Sequence, residues 1–135
     1  MKTLEYFKIK DRVAVITGGG GLMGKMHAEV VLDLGGKAIL VDVDRNKLDK
    51  ILDELDWIHQ TNIETYLCDI TKKQELIKLS SYINQKYGRL DILINNAAVN
   101  PKVEDVDGNK SLFSNLEDYS IESWDLEISV GLKGA

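Results

Sequence analysis

The chain has 135 residues, of which 44% are hydrophobic and 29% charged, and its net charge is −5 at pH 7. This balance is typical of one globular domain and argues against disorder. No Lys- or Arg-rich block is present to follow a phosphate backbone, so no nucleic-acid partner is expected. The apolar runs are shorter than the roughly 18 residues that cross a bilayer, so no membrane partner is expected either. With no apolar leader near residue 1 and a single cysteine, Cys68, the chain is expected to be cytoplasmic.

Short apolar runs alternate along the chain with longer helical patterns. Continuous apolar residues predict buried strands, and apolar residues at three- and four-residue spacing predict amphipathic helices. The predicted strands cover residues 13–16, 37–42, 63–67 and 91–94. The predicted helices cover residues 24–34 and 45–59, a third from an N-cap at Thr71 to residue 87, and a fourth from about residue 121. In the first helix the face expected to be buried carries Met26, Val30, Val31 and Leu34.

This order of elements predicts an α/β fold. Four strands, each followed by a helix, imply a parallel sheet with right-handed crossovers and helices on both faces. Residues 1–135 are therefore expected to form a single Rossmann-like, doubly wound domain, truncated after the fourth strand and its following helix. The one long connection, residues 99–120, holds the only proline, Pro101. It leaves the carboxyl end of the fourth strand, where open α/β sheets bind ligands, and is expected to border the substrate.

A glycine-rich segment, residues 17–24, joins the first predicted strand to the first predicted helix. Such a turn needs glycine because the chain bends sharply, its backbone approaches a pyrophosphate and the helix packs closely on the strand. The pyrophosphate then lies at the helix N-terminus, where unpaired N–H groups and the helix dipole favour negative charge. Because this segment lies between a buried strand and an amphipathic helix, it predicts a dinucleotide site rather than a flexible turn.

An aspartate ends the second predicted strand where a dinucleotide site needs one. Asp42 lies 18 residues after Gly24 and 24 after Gly18, on either side of the expected separation of about 20. Its carboxylate would accept hydrogen bonds from the ribose hydroxyls and repel a 2′-phosphate, so NAD is expected in preference to NADP. Arg45 could weaken that exclusion. The alternative is that Asp42 or Asp44 caps the next helix.

Four segments together resemble the short-chain dehydrogenase/reductase family. The glycine turn begins Thr-Gly, like the family's TGxxxGxG, and the segment Cys-Asp-Ile-Thr at 68–71 is similar to its strand-end Asp-Val-Thr. Residues 91–98, D-I-L-I-N-N-A-A, resemble the family's D-x-L-x-N-N-A-G, and residues 124–134 resemble its W-x-x-x-x-x-V-N-L-x-G helix. The resemblance covers nearly the whole chain, in the right order and spacing.

The resemblance implies a set of cofactor-binding residues. Asp69 would contact the adenine amine, the amides of Asn95 and Asn96 would tie neighbouring strands together, and two alanines after them would let the cofactor lie against the backbone. The predicted cofactor-binding residues are Thr17, Gly18, Gly20, Gly21, Leu22, Met23, Gly24, Asp42, Asp69, Ile70, Asn96, Ala97 and Ala98. No metal site is predicted, because His27 and His59 have no partner at metal-ligand spacing.

The chain departs from the family pattern within two of these segments. Leu22 stands where the family has its middle glycine, although Gly19, Gly21 and Gly24 still read GxGxxG in a shifted register. Gly131 replaces the helix asparagine that supports the family's proton relay. Two registers of the glycine turn therefore remain open.

No catalytic residue is predicted in the chain. The family's catalytic serine and its Tyr-x-x-x-Lys pair would follow about one strand and one helix beyond Ala135. Tyr82 and Lys86 have the right spacing, which puts them on one helical face. They precede the Asn-Asn-Ala segment, whereas the family's pair follows it, so they are expected to form a helix pair at the solvent edge.

These features predict the cofactor-binding part of an NAD-dependent oxidoreductase of short-chain type, with hydride transfer between nicotinamide and a carbonyl or alcohol carbon. Residues 95–102 and the ending V-G-L-K-G-A resemble family members associated with bacterial surface sugars, so the substrate could be sugar-related. One alternative is a catalytically inactive dinucleotide-binding or interaction module. Another is a methyltransferase using S-adenosylmethionine, which leaves Asp69 and the Asn-Asn-Ala segment unexplained. The expected partners are NAD(H), a small substrate and, because the fourth strand would leave an open edge, further copies of the chain.

Overall fold

A computed structural model of the chain describes residues 6–59, 61–99 and 119–135. The strands are β1 (Val13–Thr17), β2 (Lys37–Asp42), β3 (Ile63–Leu67) and β4 (Ile92–Ile94). The helices are α1 (Leu22–Asp33), α2 (Arg45–His59), α3 (Lys73–Tyr87) and α4 (Ile121–Ile128), and α4 continues into a π-helical turn, Ser129–Lys133. The predicted alternation of strands and helices is confirmed. Most of the predicted long connection, including Pro101, lies outside the described residues.

The four strands form one parallel sheet in the order β3-β2-β1-β4. The chain winds outward from β1 to β3 and then returns to the other side of β1, which confirms the doubly wound prediction. In register, Val15 of β1 lies between Ile39 of β2 and Leu93 of β4. The winding reverses between β1 and β4, and open α/β sheets bind ligands at the carboxyl ends of the strands at such a point.

Alternate side chains of β1 pack on opposite faces of the sheet. Ala14 and Ile16 belong to an apolar cluster with α1 and α2, whereas Val13 and Val15 belong to a second cluster with α3. All five residues of β1 are buried. The continuous apolar pattern of this strand therefore arises because helices cover both faces of the sheet.

The buried face of α1 differs from the prediction. Met26 and Val30 are about half exposed, whereas the small residues Gly24 and Ala28 are buried, with Val31. Small side chains let the helix axis approach the sheet closely, so the buried face is centred on them and not on the largest apolar residues. The helix also begins earlier than predicted, because Gly21 is its N-cap.

Two predicted boundaries around α3 are wrong. The N-cap is Lys72 and not Thr71. The hydroxyl and N–H of Thr71 both donate to Oδ1 of Asp69, at 2.6 and 3.0 Å, so the threonine closes a turn after β3. At the other end, β4 starts at Ile92. Asp91 just before it accepts the N–H of Val13 at 2.9 Å through its carboxylate.

Candidate functional site

The glycine turn connects the end of β1 to the start of α1. Gly18 has a φ of +64°, a backbone conformation that L side chains rarely adopt. A β-carbon on Gly18 would lie 2.8 Å from the backbone of Ala97, and one on Gly24 would lie 2.5 Å from the carbonyl oxygen of Gly18. A β-carbon on Gly21 would meet only that same oxygen, at 3.4 Å. A β-carbon on Gly19 would lie 2.7 Å from the Leu40 side chain, so the geometry requires glycine at 18, 19 and 24.

Leu22 occupies the position of the family's middle glycine without a steric conflict. Its side chain is 71% exposed. The shifted GxGxxG register would make Gly21 the critical middle residue, yet a side chain has room there. In each of the two registers left open by the sequence, the first and last glycines exclude a side chain and the middle position has room for one.

The N-terminus of α1 presents unpaired N–H groups. Its N-cap, Gly21, has no side chain to cap the helix, and the first turn contains no acidic residue. The first N–H groups of any helix lack partners within the helix, and the helix dipole adds partial positive charge there. These groups suit an anion such as a pyrophosphate.

Thr17 and Asn96 fasten the turn to the segment after β4. The buried hydroxyl of Thr17 accepts the N–H groups of Asn96 and Ala97, each at 3.0 Å. The side-chain amide of Asn96 donates to the carbonyl oxygens of Thr17 and Gly18, at 3.0 and 3.2 Å. These bonds hold the backbone of the alanine pair beside the turn. The amide of Asn95 makes no such tie and instead donates to the carbonyl oxygen of Ala135 at 3.4 Å.

The Asp42 carboxylate lies at the carboxyl end of β2, beside the glycine turn. Its Oδ2 accepts the N–H of Gly20 at 3.0 Å, and its Oδ1 accepts that of Asp44 at 3.1 Å. Asp44 is the residue that caps α2, because its carboxylate accepts the N–H groups of Asn46 and Lys47. Each oxygen of Asp42 retains a lone pair for a further hydrogen bond.

Asp69 lies at the end of β3, in the loop that leads to α3. The hydroxyl of Thr71 donates to its carboxylate, and the ammonium of Lys72 lies 3.3 Å from Oδ2. The Thr71 hydrogen bonds, followed by Lys72, hold the pKa of Asp69 below its ordinary value. The carboxylate is therefore ionised at neutral pH and can accept a hydrogen bond from an amine such as that of adenine.

A cavity of about 490 Å³ joins the turn, Asp42 and Asp69. Ten of the thirteen predicted residues line it: Gly18, Gly21, Leu22, Met23, Asp42, Asp69, Ile70, Asn96, Ala97 and Ala98. The other three, Thr17, Gly20 and Gly24, shape the turn through the bonds and close contacts described above. The structure thus brings the predicted residues together at one edge of the sheet.

Six lining residues escaped the sequence reasoning: Val41, Val43, Lys47, Cys68, Val99 and Val130. Some had a signal in the sequence, because Val43 directly follows Asp42 and Val130 precedes Gly131 in the Trp-to-Gly helix pattern. Lys47 had none, because only the tertiary fold places the first turn of α2 beside the glycine turn.

The one cysteine of the sequence lines the cavity and is buried. Cys68 is 1% exposed. Burial first, then the charges of Glu75 and Asp69, raise the pKa of its thiol. A raised pKa keeps the thiol protonated, which agrees with its expected role as a small apolar residue.

Tyr82 and Lys86 do not line the cavity, since they face β3 from the other end of α3. The Tyr82 hydroxyl donates to Glu64 at 2.6 Å, and the Lys86 ammonium contacts both Glu64 and the Tyr82 oxygen. The bond to Glu64 is the main cause of a raised Tyr82 pKa. An activated tyrosine would need a lowered pKa, so this pair serves to hold α3 on the edge strand.

Two further searches of the described residues concern other kinds of site. In those ranges, no group of three or more His, Cys, Asp and Glu side chains could hold a metal ion. No helix in them is both long and apolar enough to span a bilayer.

Comparisons with known proteins agree with this geometry. The model of the short chain dehydrogenase family matches residues 12–135. An uncharacterized oxidoreductase of Staphylococcus aureus strain MRSA252 is 31% identical over 126 residues, which cover 93% of this chain and 48% of that protein. A short chain dehydrogenase/reductase from Burkholderia phymatum, solved in complex with NAD, is 26% identical with a TM-score of 0.78. The match covers 95% of this chain and 41% of that protein's chain. A 3-ketoacyl-(acyl-carrier-protein) reductase from Brucella melitensis, solved in complex with NADH, is 25% identical with a TM-score of 0.77. The match covers 93% of this chain and 46% of that protein's chain. The chain spans about half the length of these relatives.

Proposed function

The chain belongs to the short chain dehydrogenase family, and from that premise we propose that it is the NAD-binding part of a short-chain oxidoreductase. The whole protein would move a hydride between nicotinamide and a carbonyl or alcohol carbon of a small substrate, a sugar derivative among the candidates. The observation that carries the proposal is the single cavity that holds the α1 N-terminus, Asp42 and Asp69 together. The NAD and NADH bound by the two solved relatives support a nicotinamide dinucleotide as its ligand.

Each part of the dinucleotide has a matching group in the cavity. The pyrophosphate would accept hydrogen bonds from the first N–H groups of α1. The adenosine ribose would donate its hydroxyl protons to Asp42, and the adenine amine would donate to Asp69. The backbone of Ala97 and Ala98 would support the ribose and nicotinamide on the β4 side.

The Asp42 carboxylate favours NAD over NADP. A 2′-phosphate on the ribose would place its negative charge beside that carboxylate, and like charges at such a distance repel. The two hydrogen bonds from the Gly20 and Asp44 N–H groups fix the carboxylate in place. It therefore cannot swing away without leaving those donors unpaired.

The contribution of this chain to hydride transfer is placement of the cofactor. NAD supplies the hydride acceptor when it is bound, and the protein holds it in position and excludes water. Among the residues that the structure describes, no tyrosine lines the cavity, so no Tyr–Lys pair is present there to transfer a proton. Proton transfer is therefore not assigned to a residue of this chain.

A titration with NADH and NADPH, followed by the change in nicotinamide fluorescence, tests the binding site. We expect saturable binding of both, with NADH the tighter, and loss of that preference in Asp42→Ala. The control is Asp53→Ala, which removes an exposed carboxylate on α2, outside the cavity. Equal affinities in the unchanged chain, or tighter NADPH, would contradict the role of Asp42.

The redox step needs a separate assay with the longest product that the gene encodes. The protein is incubated with NADH and a panel of small carbonyl compounds, sugar-derived ones included. We expect NADH to be oxidised, which lowers the absorbance of the reduced nicotinamide. Binding of NADH with no turnover on any carbonyl or alcohol would favour the inactive dinucleotide-binding module instead.

A further inference from the structure

Lys47 is the one cationic side chain that lines the cavity in the described part of the chain. Its Cβ lies 2.6 Å from the position that a β-carbon on Gly20 would occupy. The Oδ2 of Asp42 lies 3.1 Å from that same position. The lysine stem and the ribose-binding carboxylate therefore flank one short piece of backbone.

The ammonium of Lys47 is only loosely held. Among the described residues, its acidic partner is Asp44, with Nζ 4.0 Å from Oδ2, and the two side chains are 58% and 40% exposed. Exposed pairs at this separation are weak, typically about 0–1 kcal/mol. The flexible four-carbon stem leaves the ammonium able to meet a stronger anion nearby.

Arg45 does not have the same position. Its guanidinium lies 4.0 Å from Asp49 on the next turn of α2, and the residue does not line the cavity. The sequence pointed to Arg45 as the cation that could weaken the exclusion of NADP. In the folded chain, Lys47 is instead the cation that lines the cavity with Asp42.

We propose that Lys47 determines how strictly the site excludes NADP, by pairing with a 2′-phosphate carried on the ribose that Asp42 holds. This inference rests on the proposed function, because it assumes that the cavity binds a nicotinamide dinucleotide. Asp42 and Asp44 oppose the phosphate and Lys47 attracts it, so NAD remains the preferred cofactor. With the lysine in place, NADP binds with a reduced penalty.

The physical basis is the charge of the phosphate monoester. A 2′-phosphate carries between one and two negative charges at neutral pH, and a lysine ammonium binds it as a point charge. NAD has only a hydroxyl at that position. Removal of the lysine charge should therefore affect NADPH affinity selectively.

The test compares NADH and NADPH dissociation constants for the unchanged chain and for Lys47→Gln, Lys47→Arg and the matched control Arg45→Gln. We expect Lys47→Gln to weaken NADPH about fivefold, the size of one exposed ion pair, and to leave NADH within about twofold. Lys47→Arg should retain NADPH affinity because it keeps the charge, and Arg45→Gln should change neither cofactor. The difference between the unchanged chain and Lys47→Gln should shrink in high salt.

The outcomes separate this inference from the proposed function. Equal weakening of both cofactors by Lys47→Gln would show that the stem only supports the turn, and would overturn the inference while the binding site stands. Unchanged NADPH affinity would overturn it as well. Binding of neither cofactor to the unchanged chain would overturn both, and circular dichroism on each variant establishes that a loss of binding is not a loss of folding.

Discussion

At the scale of single residues, the glycines of the turn have different structural roles. Gly18 needs its positive φ, and Gly24 lies so close to the Gly18 carbonyl that no side chain fits between them. Gly20 leaves room for the side chains of Asp42 and Lys47 to approach the turn. Gly21 has no side chain to cap the first N–H groups of α1, which leaves them open to a ligand, yet there is space for a methyl group at this position.

This difference predicts that two alanine substitutions lower the free energy of unfolding by different amounts. Gly24→Ala would place its methyl group 2.5 Å from the Gly18 oxygen and 2.7 Å from the Gly19 Cα, both of them backbone atoms. We expect the free energy of unfolding to fall by about 1–3 kcal/mol, as for other overpacked sites. Gly21→Ala is the control: a β-carbon has room there, so it should cost less, about 0.5 kcal/mol, because alanine is a poorer N-cap than glycine. Urea unfolding followed by circular dichroism measures both, and equal stability of the two variants would contradict the account of the turn.

Sequence spacing predicts some site residues and cannot predict others. Asp42 ends β2 and Asp69 follows β3 by two residues, and a parallel sheet brings the carboxyl ends of its strands to one edge. Lys47 reaches the same cavity through the packing of α2, which no local pattern encodes.

At the scale of elements, two polar clusters fix where helices and strands meet. Asp91 accepts from Arg12, Arg89 and the Val13 N–H, so it joins β1 to the segment that enters β4. Glu64 accepts from Tyr82 and Lys86 and joins α3 to β3. Sequence periodicity predicted the elements themselves, but these joints link residues far apart along the chain.

The Asp91 joint predicts a dependence of stability on pH. Arg89 first, then the Val13 N–H and Arg12, lower the pKa of Asp91 in the folded chain. Its stabilisation is therefore fully present above the ordinary aspartate pKa of about 3.9, and it is lost as the pH falls through the lower folded value. Asp91→Asn should lower the urea midpoint at pH 7 and flatten the acid limb of the curve. Asp53→Asn serves as the control, and identical curves for the unchanged chain and Asp91→Asn would refute the assignment.

The Glu64 joint predicts that Tyr82 matters for folding and not for the cofactor. Tyr82→Phe removes a hydrogen bond to a carboxylate and keeps the ring that packs 5.2 Å from Tyr66. We expect a loss of about 1 kcal/mol of unfolding free energy and no change in NADH affinity. A large loss of NADH affinity in a folded Tyr82→Phe chain would count against its structural role.

At the scale of the whole molecule, β4 pairs only with β1 in the described structure, and apolar groups lie beside its outer edge. A groove of about 470 Å³ lies between α3 and β4. Leu79, Leu90 and Leu93 line it, and Leu93 is 53% exposed. Unpaired strand edges and open apolar grooves favour association. The alternation of apolar patterns was enough to predict the fold class, because each crossover has one favoured handedness.

We therefore expect the 135-residue chain to associate with copies of itself. Sedimentation velocity over a range of concentrations should show a mass that rises with concentration, and Leu93→Lys should reduce that rise by placing a charge beside the edge. Ile77→Lys, at an exposed apolar position on α3 that does not line the groove, is the control. A sharp monomeric boundary at every concentration, with cooperative unfolding, would contradict this expectation.

The central claim is that one cavity, built on the glycine turn, Asp42 and Asp69, binds a nicotinamide dinucleotide. Amide chemical shifts recorded by NMR during an NADH titration test it most directly. The account predicts saturable shifts for residues 18–24, 42–43, 69–70 and 96–98, with the amides around Tyr82 and Lys86 unmoved. Shifts concentrated instead in the groove between α3 and β4, or no saturable shift at all, would contradict it.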